Sequence, residues 1–231
     1  SVSCCSGGCS MSANTTTPPG RFITFEGGEG SGKSTQVKLL AGHLRGAGFD
    51  VLETREPGGS PNAEAIRQYL LSGKAEDKGP KAEAMLFAAA RMDHLENTIR
   101  PALKAGSWVL CDRFMDSTRV YQGMELDPET IDLLEKITVE KTRPDMTILL
   151  DLPAKEGLRR AAMRDPDAVK DRFEKEDEPL HEARRQAFLK LAESDSRRIS
   201  VFDASRPAHI VESMIWKACR RRFDIRTPMG I

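Results

Sequence analysis

RFITFEGGEGSGKST, residues Arg21 to Thr35, is an apolar run that feeds a glycine-rich loop and then opens into a helical pattern. Gly27, Gly32, Lys33 and Ser34 match the phosphate-loop spacing G-x-x-x-x-G-K-[ST] without a gap. Glycines let consecutive backbone N–H groups curl around a polyphosphate, and the helix that follows aims its positive dipole end at the same anion. In such a loop Lys33 reaches the β- and γ-phosphates and the Ser34 hydroxyl ligates Mg²⁺.

Outward from this loop the chain alternates short β-rich runs with longer helical ones, the signature of a parallel sheet covered by helices. The strand candidates are Phe22 to Phe25, Val51 to Thr54, Trp108 to Cys111, Met146 to Leu150 and Ile199 to Phe202. The expected fold is α/β, a three-layer P-loop NTPase-type domain with a sheet of about five parallel strands. Helical spacing is read over Val37 to Leu44, Ala63 to Leu71, Lys81 to Lys104 with a turn or kink at Pro101, a helix from Pro128 with Ile131, Leu134, Ile137 and Thr138 on one face, Ala154 to Arg164, Phe173 to Ser194, and Pro207 to Arg222 with a stripe of Ile210, Val211, Met214, Ile215 and Ala218.

Lys plus Arg and Asp plus Glu both number 35 in a chain of 231 residues, which suits one sizeable domain and gives no field directed at nucleic acid or a membrane. The expectation is a cytoplasmic protein without a membrane span. Residues 1–20 are small, polar and proline-ended, a composition expected to be disordered, and Met11 is a possible native start. Cys4, Cys5 and Cys9 in that stretch have no His beside them and make a poor zinc site. The domain is expected over residues 21–223, with a lid near 160–172 and a short tail over 224–231.

Further chemistry sits where strands end. Arg55, in Thr54-Arg55-Glu56-Pro57-Gly58-Gly59, follows the second strand at the edge where open α/β sheets bind ligands, and its planar fork suits a phosphate. Asp112 and Arg113 close the third strand; Asp112 suits a Mg²⁺-bound water or a partner for Lys33, and Arg113 a second phosphate clamp. Asp151 closes the fourth strand and rivals Asp112 as the Mg²⁺-linked acid. Phe87 and Arg91 are four apart on one helical face, a ring and a guanidinium suited to a stacked base. A charged segment carries Arg159, Arg160, Arg164 and Arg172 around a proline-containing break.

Taken in order, the phosphate loop, TREPGG, DRF followed by STRVYQG, and DRFE make the chain resemble thymidylate kinase of the bacterial type, over essentially Phe22 to Phe223. The resemblance implies phosphorylation of dTMP by Mg-ATP in dTTP synthesis, and a homodimer. It gives ATP to Gly27, Gly28, Glu29, Gly30, Ser31, Gly32, Lys33, Ser34 and Thr35, with Arg160 and Arg164. It gives dTMP to Glu29, Arg55, Phe87, Arg91, Arg113, Ser117, Thr118, Tyr121 and Gln122: Phe87 stacks on thymine, Arg91 bonds a thymine carbonyl, Thr118 meets N3, and Tyr121 lies where a ribose 2′-hydroxyl would project. Lys33, Arg113, Asp112, Arg164 and Glu29 are the catalytic set, and Ser34 and, through water, Asp112 serve Mg²⁺. No basic residue lies between Gly27 and Gly32, so the missing charge is expected from the lid, from Arg164 with Arg160 and Arg172 in support. The rivals are a kinase for another nucleoside monophosphate, a silent nucleotide binder, and a GTP switch, whose N-K-x-D motif is missing from the sequence.

Overall fold

The computed structural model describes residues 20–164 and 176–225, the Arg164 side chain excepted. The cysteines of the N-terminal stretch, Met11, Arg172, the break after Arg164 and the end of the tail lie outside the described residues. Gly20, the last residue of the stretch expected to be disordered, donates from its backbone to Leu103 O at 3.2 Å.

Five parallel strands, β1 (Phe22–Glu26), β2 (Val51–Arg55), β3 (Trp108–Asp112), β4 (Met146–Asp151) and β5 (Ile199–Asp203), form one sheet in the order β2-β3-β1-β4-β5. Each runs one residue beyond its expected end, and in all five that extra residue is charged: Glu26, Arg55, Asp112, Asp151 and Asp203. The central strand β1 is buried along its whole length, so helices must cover both of its faces. Alternation divides the core: Ile23, Phe25, Leu110 and Ile148 pack with α1 (Lys33–Gly46) and α9 (Ala208–Phe223), whereas Phe22, Val109 and Cys111 face the other layer with Leu95, Ile99 and Phe114. The connections that follow β1, β2 and β3 open at one edge of this sheet, where they line the site.

Helices α2 (Pro61–Leu71), α3 (Pro80–His94), α4 (Arg100–Lys104), α5 (Met115–Tyr121), α6 (Pro128–Val139), α7 (Ala154–Arg164) and α8 (Glu178–Ser194) complete the layers. Between α3 and α4 the expected kink is a π turn over Leu95–Ile99. Pro101 has no N–H and its ring crowds the carbonyl four residues back, and a widened turn absorbs both defects. Three expectations need correction. Helix α8 starts at Glu178, not Phe173, because Asp177 caps it by accepting from Leu180 N at 3.3 Å and leaves Glu176 outside. Ile137 is exposed; the inward face of α6 instead holds Glu135, buried because Arg119 and Arg143 clasp its carboxylate. In α9 the buried stripe is Val211, Ile215 and Cys219, a strict four-residue row that leaves Ile210 exposed and Ala218 half-buried. The second residue of the expected tail belongs to the core, since Ile225 is buried. No helix among the described residues is long and apolar enough to cross a membrane.

Candidate active site

The loop after β1 turns with positive φ at Gly27, Gly30 and Gly32, a conformation in which a side chain is strained. A Cβ at Gly27 would also come within 2.5 Å of Leu150 O. Gly32 caps α1 without any side-chain bond, and the first turn of α1 has no acidic residue, so the positive helix end is left open to an anion. Ser31 Oγ donates to Gly28 O at 2.8 Å and tightens the crest. The Lys33 ammonium donates to Gly27 O at 3.0 Å and Gly28 O at 2.9 Å, so in this structure it braces its own loop. Burial first, and then the charge of Arg113, hold Lys33 below the usual lysine range. At the far side of the crest, Gly30 and Gly157 of α7 meet backbone to backbone: a Cβ on either would collide with the other strand of chain, at Gly157 O or Glu29 O.

A cavity of about 290 Å³ runs from this loop across the carboxyl ends of β2 and β3. Glu29, Gly30, Gly32, Lys33, Ser34 and Thr35 line its phosphate-loop end. Arg55, Asp112 and Arg113 line the middle, and Phe87, Arg91, Ser117, Thr118, Tyr121 and Gln122 the far end. Gly27 and Ser31 are buried and Gly28 is half-buried, and none of the three lines the cavity. Arg160 stands apart from the cavity, donating to Ala204 O at 2.8 Å and Ser205 O at 3.3 Å. Arg164 ends α7, and its side chain is outside the described residues.

The two rival acids separate cleanly. Ser34 Oγ donates to Asp112 Oδ2 at 2.5 Å, whereas Asp151 is held by Arg185 at 2.7 and 3.1 Å. Asp112 therefore stands beside the loop hydroxyl, and Asp151 joins β4 to α8. Among the described residues no group of three or more His, Cys, Asp or Glu could hold a metal. The Ser34–Asp112 pair is a hard-oxygen corner open to the cavity, a set that fits Mg²⁺ completed by phosphate and water oxygens.

Arg113 adopts φ 70, the left-handed region, and its guanidinium pairs with Glu29 and donates to Tyr121 Oη at 3.2 Å. Burial opposes its charge, but Tyr121 and the carboxylates of Glu29, Asp112 and Glu26 outweigh burial and raise it further, so it is a permanent cation. Burial pushes the Tyr121 hydroxyl up to about 12 against the pull of Arg113. Arg184 also stacks on the Tyr121 ring, 4.3 Å from its centroid. Arg55 is exposed and bonds Glu64 at 3.0 Å, combining a surface ion pair with a place on the cavity wall. Phe87 is half-buried while Arg91 is buried, the reverse of the ordinary arrangement of a ring and a guanidinium on one helix.

Glu26, the last residue of β1, belongs to the site although no sequence motif marks it. Its buried carboxylate accepts from Phe114 N at 2.8 Å, Ser117 N at 3.3 Å and Ser117 Oγ at 2.6 Å, and so fixes the start of α5. Only its position at the end of a mostly apolar strand signals it. Burial, and next the nearby Asp116 carboxylate, push Glu26 up to about 8 from an ordinary 4.5. A carboxyl raised in the fold stabilises it fully below the unfolded value and loses that contribution as pH rises through the folded one. The melting temperature of the wild type is therefore expected to fall relative to Glu26→Gln by a few degrees between about pH 5 and pH 9; parallel melting curves across that range would refute it.

The comparisons with known proteins agree on one family. The thymidylate kinase family model matches residues 25–215. A thymidylate kinase of Bradyrhizobium sp. (strain ORS 278) is 50% identical over 206 residues, 88% of this chain and 91% of that protein. One of Afipia carboxidovorans is 51% identical over 211 residues, 90% and 92% of the two chains. The crystal structure of thymidylate kinase from Ehrlichia chaffeensis superposes with a TM-score of 0.69 at 31% identity, covering 88% of this chain and 99% of that one. The chain belongs to the thymidylate kinase family.

Proposed function

We propose that the protein transfers the γ-phosphoryl group of ATP to dTMP, releasing ADP and dTDP. The observation that carries this reading is the single cavity that joins a phosphate loop to a wall bearing Phe87, Arg91 and Thr118. A dTMP phosphate oxygen attacks the γ-phosphorus as the bond to the β–γ bridging oxygen breaks, and ADP leaves with that oxygen. The attacking oxygen is already anionic, so alignment and charge stabilisation do the work. Lys33 exchanges its bonds to Gly27 O and Gly28 O for the donor phosphates; Arg55 and Arg113 clamp the acceptor phosphate, with Asp112 alongside. Ser34 and Asp112 would hold Mg²⁺, which would supply neutralisation of the phosphate charge. Phe87 stacks on the base, Arg91 and Thr118 meet its polar edge with Ser117 and Gln122 near, and Tyr121 and Glu29 face the sugar.

Arg160 is occupied by the Ala204–Ser205 carbonyls, which suits the adenine side and leaves the transfer role to Arg164, supported by Arg172. As a step of dTTP synthesis the reaction belongs to the cytoplasm on this reading. A second copy of the chain fits an apolar strip on α3 and α6: Met85 and Met92 are 64% and 45% exposed, Leu133 and Ile137 57% and 53%. Sedimentation at the mass of one chain would remove the homodimer.

ADP release from ATP is expected to require dTMP, with dUMP, dCMP and dGMP far poorer acceptors. Equal release with dCMP, or release without any acceptor, would overturn the reading.

A further inference from the structure

Arg91 is held on three sides by the protein. Its Nε donates to Glu56 Oε2 at 2.7 Å, its Nη2 to Thr118 Oγ1 at 2.9 Å and Phe114 O at 3.2 Å, and its guanidinium lies 5.2 Å from the centroid of the Phe114 ring. Nη1 makes no hydrogen bond to the described residues, and Arg91 lines the cavity. One edge of an otherwise committed group is thus left for a ligand. Behind Arg91 the chain of bonds continues inward. Glu56 Oε1 faces His94 Nδ1 at 3.1 Å, and His94 Nε2 faces Thr54 Oγ1 at 2.7 Å. Glu56 and Arg91 side chains are each 5% exposed, and His94 is 0% exposed. A carboxylate only accepts, so Nδ1 carries the proton toward Glu56, and in the neutral ring Nε2 accepts from the Thr54 hydroxyl.

We infer that Glu56 and His94 are positioning residues for recognition of the acceptor base, acting through Arg91. Two consequences give this content. The Glu56 carboxylate cancels the Arg91 charge inside the protein, so the remaining Nη1 edge meets a ligand as a directed donor to a neutral carbonyl and not as a phosphate clamp. The bond at Nε also fixes the guanidinium plane, because Glu56 is itself anchored through His94 to β2. A base with a carbonyl at this edge pairs with Nη1, whereas a base with an amino group there presents donor to donor. Loss of either positioning residue therefore lowers the discrimination between dTMP and dCMP. Neither residue lies four apart from its partner on one helix, and the bonds join positions 38 and 35 residues apart.

The inference rests on the reading of the cavity's far end as the base site, and the experiment separates the two. Steady-state kinetics with dTMP, dUMP and dCMP would be measured for the wild type, Glu56→Gln, His94→Asn, His94→Phe and Arg91→Lys. Asn retains a donor near the Nδ1 position, and Phe retains only the ring shape. The expected result is a KM for dTMP raised about 10-fold in Glu56→Gln and His94→Phe, with a matching fall in the dTMP to dCMP ratio of kcat/KM, KM for ATP unchanged, and substantial recovery in His94→Asn. Equal loss in KM for ATP, or unchanged discrimination in a folded His94→Phe, would overturn it. If Glu56→Gln fails to fold, the contrast between His94→Asn and His94→Phe decides. Unchanged selectivity in Arg91→Lys would instead refute the base-site reading itself.

Discussion

Lys33→Ala is expected to lower turnover by roughly 10²–10³-fold, the usual loss when one preorganised charge is removed from a transferring group. Its fold should survive. Lys33 is buried, yet its hydrogen bonds to the described residues go to the loop carbonyls and Ser31, and none of these crosses to another layer. Removing a cation whose burial already depresses its protonation relieves a desolvation cost, so the melting temperature is expected to hold or rise slightly. Circular-dichroism melts beside ADP-release kinetics check both halves. Near-wild-type turnover in folded Lys33→Ala would refute the phosphoryl-transfer role.

Arg113 carries the second large effect, and there the backbone and the side chain can be read separately. Arg113→Ala and Arg113→Gly should both lose turnover by roughly 10²–10³-fold, since both delete the phosphate clamp proposed above. They should differ in stability. At φ 70 any residue with a Cβ is strained, and glycine relieves on the order of 1 kcal/mol there. The glycine variant is therefore expected to melt about 2–4 °C above the alanine variant. Equal melting temperatures would show that the turn after β3 relaxes in both. That strain is tolerable because Arg113 N donates to Phe25 O at 2.9 Å, which ties the residue to the central strand while its guanidinium reaches Glu29 and Tyr121.

The parts of this molecule legible in the sequence are those whose cause is local. Phosphate-loop spacing, apolar strands and their polar final residues depend on neighbours a few positions away, and they place Lys33, Ser34, Arg55, Asp112 and Arg113 at one edge without any knowledge of tertiary contacts. Errors arose where a distant partner changes what a position tolerates. Glu135 can face inward on α6 only because Arg119 and Arg143 meet it, and periodicity alone assigns that face to Ile137. Asp112 and Asp151 are indistinguishable as strand ends until Arg185 claims one of them. Glu26 and His94 carry no local signature for the same reason: each gains its role from groups on another element, Ser117 for the first and Glu56 for the second.

The backbone contact between Gly30 and Gly157 gives the crest of the phosphate loop and the helix bearing Arg160 a common datum. Neither residue has a rotamer to change or a proton to lose, so the separation there is set by the radii of backbone atoms alone. Glu29 and Arg160 are consequently each located from the same few atoms, although most of the sheet separates them along the chain. Positional error does not accumulate over the intervening strands, and a single methyl group at either glycine would shift one side of the donor site bodily against the other.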